Sequence, residues 1–101
     1  MHKVEITGVD TSKLKTLSQT EMTNLLLEVK NGDMKAREKM IQGNLKLVLS
    51  VLKRFNDKKE SLDDLFQVGC IGLMKAIDNF DLSHNVKFST YACPMIIGEI
   101  R

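Results

Sequence analysis

Apolar residues recur along most of this chain at steps of three and four, which is the spacing of helices that bury one face. Met22, Leu25, Leu26 and Val29 set the first such stripe. Ser18 with Glu21 three residues later predicts a capping box at its start, and Asn31-Gly32 predicts its C-cap. Asp33 can cap a second helix with Met34, Arg37, Met40 and Ile41 on one face, and Gly43 predicts a break or bend. Leu45, Val48, Val51, Leu52 and Phe55 form a third stripe that leaves Lys46, Lys53 and Arg54 free to reach solvent. Asn56-Asp57-Lys58-Lys59 reads as a loop. Ser61 with Asp64 predicts another capping box, followed by Leu62, Leu65, Phe66, Gly69, Leu73, Ile77 and Phe80 at helical steps. Residues 81–85 break the period, Ser89 is placed to cap a last helix, and Pro94 should bend that helix unless it falls in the first turn.

Residues 1–17 behave differently. Val4, Ile6 and Val9 are isolated among polar residues, so the segment is read as a flexible arm, with one helical domain over 18–101. No strand pair or internal repeat is evident. The predicted fold is all-α, a compact helical bundle. The closing residues Ile96-Ile97-Gly98-Glu99-Ile100-Arg101 carry no stop signal, so the chain is read as a fragment ending inside its last helix.

Composition narrows the chemistry. The 101 residues are 43% hydrophobic and 28% charged, which fits one globular domain and excludes a disordered tail or collagen-like repeat. A formal charge of +2 names no partner. No apolar run is long enough to span a membrane and no leader pattern opens the chain, so a reduced cytoplasm is expected. Cys70 and Cys93 have 22 residues between them and only His2 and His84 as other soft ligands, so no metal site and no cofactor is expected. A catalytic thiol is disfavoured because Cys70 lies on the buried stripe, and Asp63-Asp64 sit where a helix macrodipole favours acids. Gly69 and Gly72 follow no strand and form no phosphate loop. No catalytic residue is assigned and the chain is not read as an enzyme.

Two features exceed what packing requires. Asp64, Gln67, Val68, Ile71 and Met74 form a second stripe, mixed in charge and grease, on a face separate from Leu65, Leu73 and Ile77. Such a face suits a protein partner, while Ile71 and Met74 equally suit a wide core stripe. Lys87-Phe88-Ser89-Thr90-Tyr91 sets a cation, two aromatics and two hydroxyls around a helix start. Such a set can hold unpaired nucleic acid, or Phe88 and Tyr91 can be core residues.

Three blocks in order resemble region 2 of bacterial sigma-70-type sigma factors: Asn44-Leu45-Lys46-Leu47-Val48, the run from Asp64 to Phe80, and Lys87-Phe88-Ser89-Thr90-Tyr91-Ala92. The resemblance begins at about residue 18, which makes 18–101 a region 1.2 and region 2 unit. The arm and the ending Tyr91–Arg101 are similar to the sporulation branch, in particular its late forespore type. The resemblance implies a subunit that binds core RNA polymerase and recognises and melts the promoter minus-ten element. On it, Asp64, Gln67, Val68, Ile71 and Met74 face the β′ clamp helices, Asp64 meeting a basic residue. Phe88, Ser89, Thr90 and Tyr91 take a flipped base of the single-stranded minus-ten element with Lys87 at the backbone. Asn44, Lys46 and Leu47 take a second, downstream base. Forespore, nucleoid-associated localisation would follow. The family often has an acidic residue at the place of Val68 and Asn at the place of Cys70. Housekeeping members carry a tryptophan pair where this chain has Pro94 and Met95, so their wedge is not carried over and weaker melting is implied. An alternative reading, for a chain this short, is a protein-interaction module held by an anti-sigma factor without independent DNA binding. A thiol enzyme stands third.

Overall fold

The structure is a computed structural model that describes residues 5–6, 9–10, 16–54, 62–83 and 86–100. It contains a two-stranded antiparallel ladder, β1 (Glu5–Ile6) with β2 (Val9–Asp10), followed by five helices. These are α1 (Gln19–Lys30), α2 (Met34–Gly43), α3 (Leu45–Lys53), α4 (Leu62–Asn79) and α5 (Phe88–Ile100). The fold is all-α apart from that ladder, which corrects the expectation of no strand pair. Strands of two residues are too short to show an alternating pattern.

Local hydrogen bonding sets the first two helices. The Ser18 hydroxyl accepts from the Glu21 amide at 3.1 Å, and the Glu21 carboxylate accepts from the Ser18 amide at 2.9 Å. This is the reciprocal capping box. The helix closes with the Gly32 amide donating to Val29 at 2.9 Å and the Asp33 amide to Glu28 at 3.0 Å. Gly32 takes φ +90°, which a side chain would resist. The Asp33 carboxylate then accepts from Lys35 and Ala36 amides at 2.9 and 3.2 Å, so one turn ends α1 and starts α2. The chain bends after Gly43, where the buried Asn44 side chain donates to the Met40 carbonyl at 2.8 Å.

α4 is the central element, packed on α1, α2, α3 and α5. Its buried side is Leu65, Phe66, Gly69, Gly72, Leu73, Ala76 and Ile77. Leu26, Met40, Val48, Val51, Leu52, Phe88 and Ile96 close the core around it. Leu49 is also buried, although the single stripe read for α3 omits it. α3 packs against both α4 and α5, so it buries a wider arc. Met34, placed on the inner face of α2 by its spacing, is instead 66% exposed, and Ala36 takes the buried position. Phe55, the 56–59 loop and Ser61 lie outside the described residues.

Two contacts fix α5. A Cβ at Gly72 would lie 2.7 Å from both the Ile96 Cα and the Met95 carbonyl oxygen, so α4 and α5 approach at backbone distance. Phe80, just past α4, meets Phe88 edge-on with ring centres 5.5 Å apart and Tyr91 at 5.4 Å. The helix therefore begins at Phe88, and Ser89 lies inside the first turn and is not its cap. Pro94 is beyond that turn, where its ring leaves the Thr90 carbonyl without the usual amide donor.

Polar contacts on the rim tie the same elements together. The Arg37 guanidinium forks onto Asp78 at 2.8 and 2.9 Å, joining α2 to the end of α4 and holding the Asp78 carboxyl below the usual carboxylate range. Lys75 pairs with Glu99 of α5 at 2.6 Å. Both pairs are part-exposed, so they orient more than they stabilise.

The close approach gives a direct test. Gly72→Ala should cost about 1–3 kcal/mol in urea unfolding, because backbone on the facing helix must move. Gly98→Ala, with nothing within 4 Å of the added carbon, should be neutral or gain up to about 1 kcal/mol from helix propensity. Equal midpoints for the two variants would show that α4 and α5 are not in backbone contact.

Candidate nucleic-acid and protein interfaces

A shallow cleft of about 320 Å³ opens where the α2–α3 corner meets the first turn of α5. Asn44, Lys46, Leu47 and Ser50 line one side and Ser89 the other. Thr16, Leu17 and Met22, from the approach to α1 and its first turns, form a third wall. Leu17 lies so close over Gly43 that a Cβ there would overlap its side chain. The lining combines apolar walls (Leu17, Met22, Leu47), hydroxyls (Thr16, Ser50, Ser89) and one cation on the rim (Lys46). Apolar walls suit a planar ring, hydroxyls its polar edge, and an exposed ammonium an attached anion. That combination of groups is the chemistry of a nucleotide.

The two nucleic-acid sets read from the sequence meet at this cleft through Ser89. Within the sets, the side chains differ in access. Lys46, Lys87 and Thr90 are exposed, while Leu47, Ser89 and Tyr91 are half-buried. Phe88 is fully buried against Phe80, so its ring cannot stack on a base and the direct contact expected of it is corrected. Asn44 is likewise only 6% exposed with its amide committed to the Met40 carbonyl. In this geometry Phe88 and Asn44 are struts: one seats the start of α5, the other holds the α2–α3 corner. Tyr91 packs one side on Phe80 and keeps part of its ring accessible.

Sequence reasoning missed Thr16, Leu17, Met22 and Ser50. Only Ser50 had a local signal, standing one helical turn after Lys46. The other three arrive by tertiary folding.

On α4 the second stripe is separate from the core. Asp64, Gln67 and Ile71 are exposed and Val68 and Met74 half-buried, so all five share the face opposite Leu65 and Leu73. Ile71 is 44% exposed, which settles it as surface and not core. An exposed apolar centre flanked by an acid and an amide is suited to a helical or basic protein partner.

The described residues offer little for catalysis. Burial pushes the Cys70 thiol up to about 11, which keeps it protonated and weakly nucleophilic. His2 and His84 lie outside the described residues. No group of three His, Cys, Asp or Glu among the described residues could hold a metal ion, and no described helix is long and apolar enough to cross a membrane.

Residues 40–101, more than half of the chain, match the family described as Sigma-70 region 2. The chain belongs to the sigma-70 family. It is 68% identical over 101 residues to the RNA polymerase sigma-G factor of Clostridium acetobutylicum, covering 100% of this chain and 39% of that protein. It is 69% identical over 101 residues to the sigma-G factor of Bacillus subtilis, covering 99% of this chain and 39% of that protein. Over 85 residues it is 52% identical to the Bacillus subtilis sigma-F factor, covering 84% of this chain and 33% of that protein. The chain thus spans about two-fifths of the length of these two sigma-G factors. The region 2 match takes in α3, α4, α5 and most of the cleft, whereas Thr16, Leu17 and Met22 lie before it.

The Cys70 environment predicts its reactivity. Iodoacetamide labelling of the folded chain, followed by peptide mapping, should be slow at Cys70 near neutral pH and rise as pH approaches 11, since the thiolate is the reacting form. Rapid labelling at neutral pH would reopen the thiol-enzyme reading.

Proposed function

We propose that this chain is the part of an RNA polymerase sigma factor that docks on the polymerase clamp and holds unpaired bases of a promoter's minus-ten element. Sigma factors are transcription initiation factors and not enzymes, and the reaction here is binding alone. Strand separation is thermally driven, and a protein that binds flipped bases shifts the equilibrium toward the open duplex. The observation that carries the reading is the cleft that joins Lys46 and Leu47 of α3 to Ser89 of α5, with Lys87 and Tyr91 close to Ser89 in sequence but outside the cleft lining.

In this reading Tyr91 supplies the stacking ring, Ser89 and Thr90 supply hydroxyls, and Lys87 and Lys46 meet phosphate. The opposite role falls to α4. Asp64 would engage a cation of the β′ clamp helices, with Gln67 beside it and Ile71, Met74 and Val68 providing the apolar contact. Val68 where the family often has an acid makes that contact more apolar. The setting is sporulation-specific transcription of the late forespore type, an inference that rests on the similarity to sigma-G factors.

Titration against the isolated β′ clamp coiled coil tests the docking face. Wild-type chain should bind, and Asp64→Lys should bind at least tenfold more weakly with unchanged helicity by circular dichroism. Undiminished binding by the variant would remove Asp64 from the interface.

Titration against single-stranded minus-ten DNA tests the role given to the start of α5. Tyr91→Ala should lose about 1–3 kcal/mol of binding if the ring stacks on a base. An unchanged affinity would return Tyr91 to a purely structural role, and weak dependence on salt would favour a protein partner for this face.

A further inference from the structure

The exposed side of α3 carries Lys46, Ser50, Lys53 and, at its C-cap, Arg54. At about 100° per residue these four fall within roughly a 100° arc of the helix. Lys46 and Ser50 line the cleft, whereas Lys53 and Arg54 do not. Lys53 stands one step of seven residues beyond Lys46, about 10 Å along the axis. α3 contains no acidic residue, and its remaining positions are apolar. Two other surface cations are neutralised across the fold: Arg37 by Asp78 and Lys75 by Glu99. Lys46, Lys53 and Arg54 form no ion pair among the described residues. A helix whose outer side is only cations and a hydroxyl, and which begins inside a base-sized cleft, is a cationic ridge leading out of that cleft with no ion pair among the described residues.

We infer that Lys53 and Arg54 form a phosphate track, which carries the single strand along α3 away from the base held in the cleft. This rests on the nucleic-acid reading of the cleft and extends it to residues assigned no role there. The track contacts backbone only. It adds affinity and salt dependence without sequence preference, because phosphate contacts carry no base information. Lys46 serves both parts, standing at the cleft rim and at the head of the ridge.

The test is a salt titration of the full 101-residue chain and a Lys53→Gln/Arg54→Gln double variant, with circular dichroism to confirm equal helicity. The probes are a short single-stranded minus-ten oligonucleotide and versions extended at the 5′ or the 3′ end by unrelated sequence. For wild type, one extension should tighten binding several-fold. For the double variant that gain should vanish, and the slope of log affinity against log salt should fall by about 1.4, two contacts at about 0.7 each. The short oligonucleotide should bind both proteins alike, and Lys46→Gln should weaken short and extended probes together. An equal gain from the extension in both proteins would overturn the track. So would equal losses by the double variant on short and extended probes, which would place the two cations at the cleft itself. A double variant that keeps DNA binding and loses the β′ clamp coiled coil would overturn it in favour of a protein contact. If wild type binds none of the oligonucleotides, the cleft reading itself fails and the track fails with it.

Discussion

The arrangement depends on the backbone-distance contact between α4 and α5 at Gly72. No side chain separates the two helices there, since any Cβ would meet the Ile96 Cα and the Met95 carbonyl. With α5 laid this close, its first turn lands beside the α2–α3 corner, and Ser89 becomes a wall of the same cleft as Lys46 and Leu47. The Phe80–Phe88 contact fixes the other end of that constraint by anchoring the first residue of α5 to the residue after α4. Loosening either contact would separate the two halves of the cleft without touching any residue that faces it.

The same helix then serves two surfaces. Seven residues of α4 are buried and hold the bundle together, which leaves its outer side free of packing demands. An exposed Ile71 costs little stability there, because apolar atoms on the surface are ordinary, and it becomes useful only when a partner covers it. Cleft and stripe are therefore coupled through α4: its inner face packs against α3 and α5, which wall the cleft, and its outer face carries the stripe proposed for docking. A single rigid element can hold both at fixed separation, which a loop could not.

Much of this was legible because it is written in short-range chemistry. Ser18 with Glu21, Asn31-Gly32 and Asp33 each act within a few residues, and the structure forms the bonds their spacing implies. The two faces of α4 were legible for the same reason, since one helix sorts its residues by angle. What failed to show was decided by neighbours distant in sequence. Phe88 had the chemistry to stack on a base or to fill the core, and Phe80 decides for the core. Leu49 is buried because α3 has two neighbours, and no stripe drawn on α3 alone can say so. Thr16 and Leu17 precede any periodic segment, and only the folded α2–α3 corner gives them a cleft to line.

One consequence concerns how strongly an unpaired strand can be held. Among the described residues Phe66, Phe80 and Phe88 are buried, and Tyr91 is the aromatic that keeps part of its ring at the surface. Where housekeeping sigma factors carry a tryptophan pair, this chain has Pro94 and Met95, with Pro94 exposed and Met95 half-buried. Among the described residues, stacking on this face would thus have one ring to draw on, and on the proposed reading the remaining affinity would come from the hydroxyl-lined cleft and from cations. Cationic contacts are screened by salt in a way that stacking is not. On the proposed reading, a site built this way would hold an open strand through many weak backbone contacts and few base contacts, its grip set by how much of the strand reaches the lysines of α3.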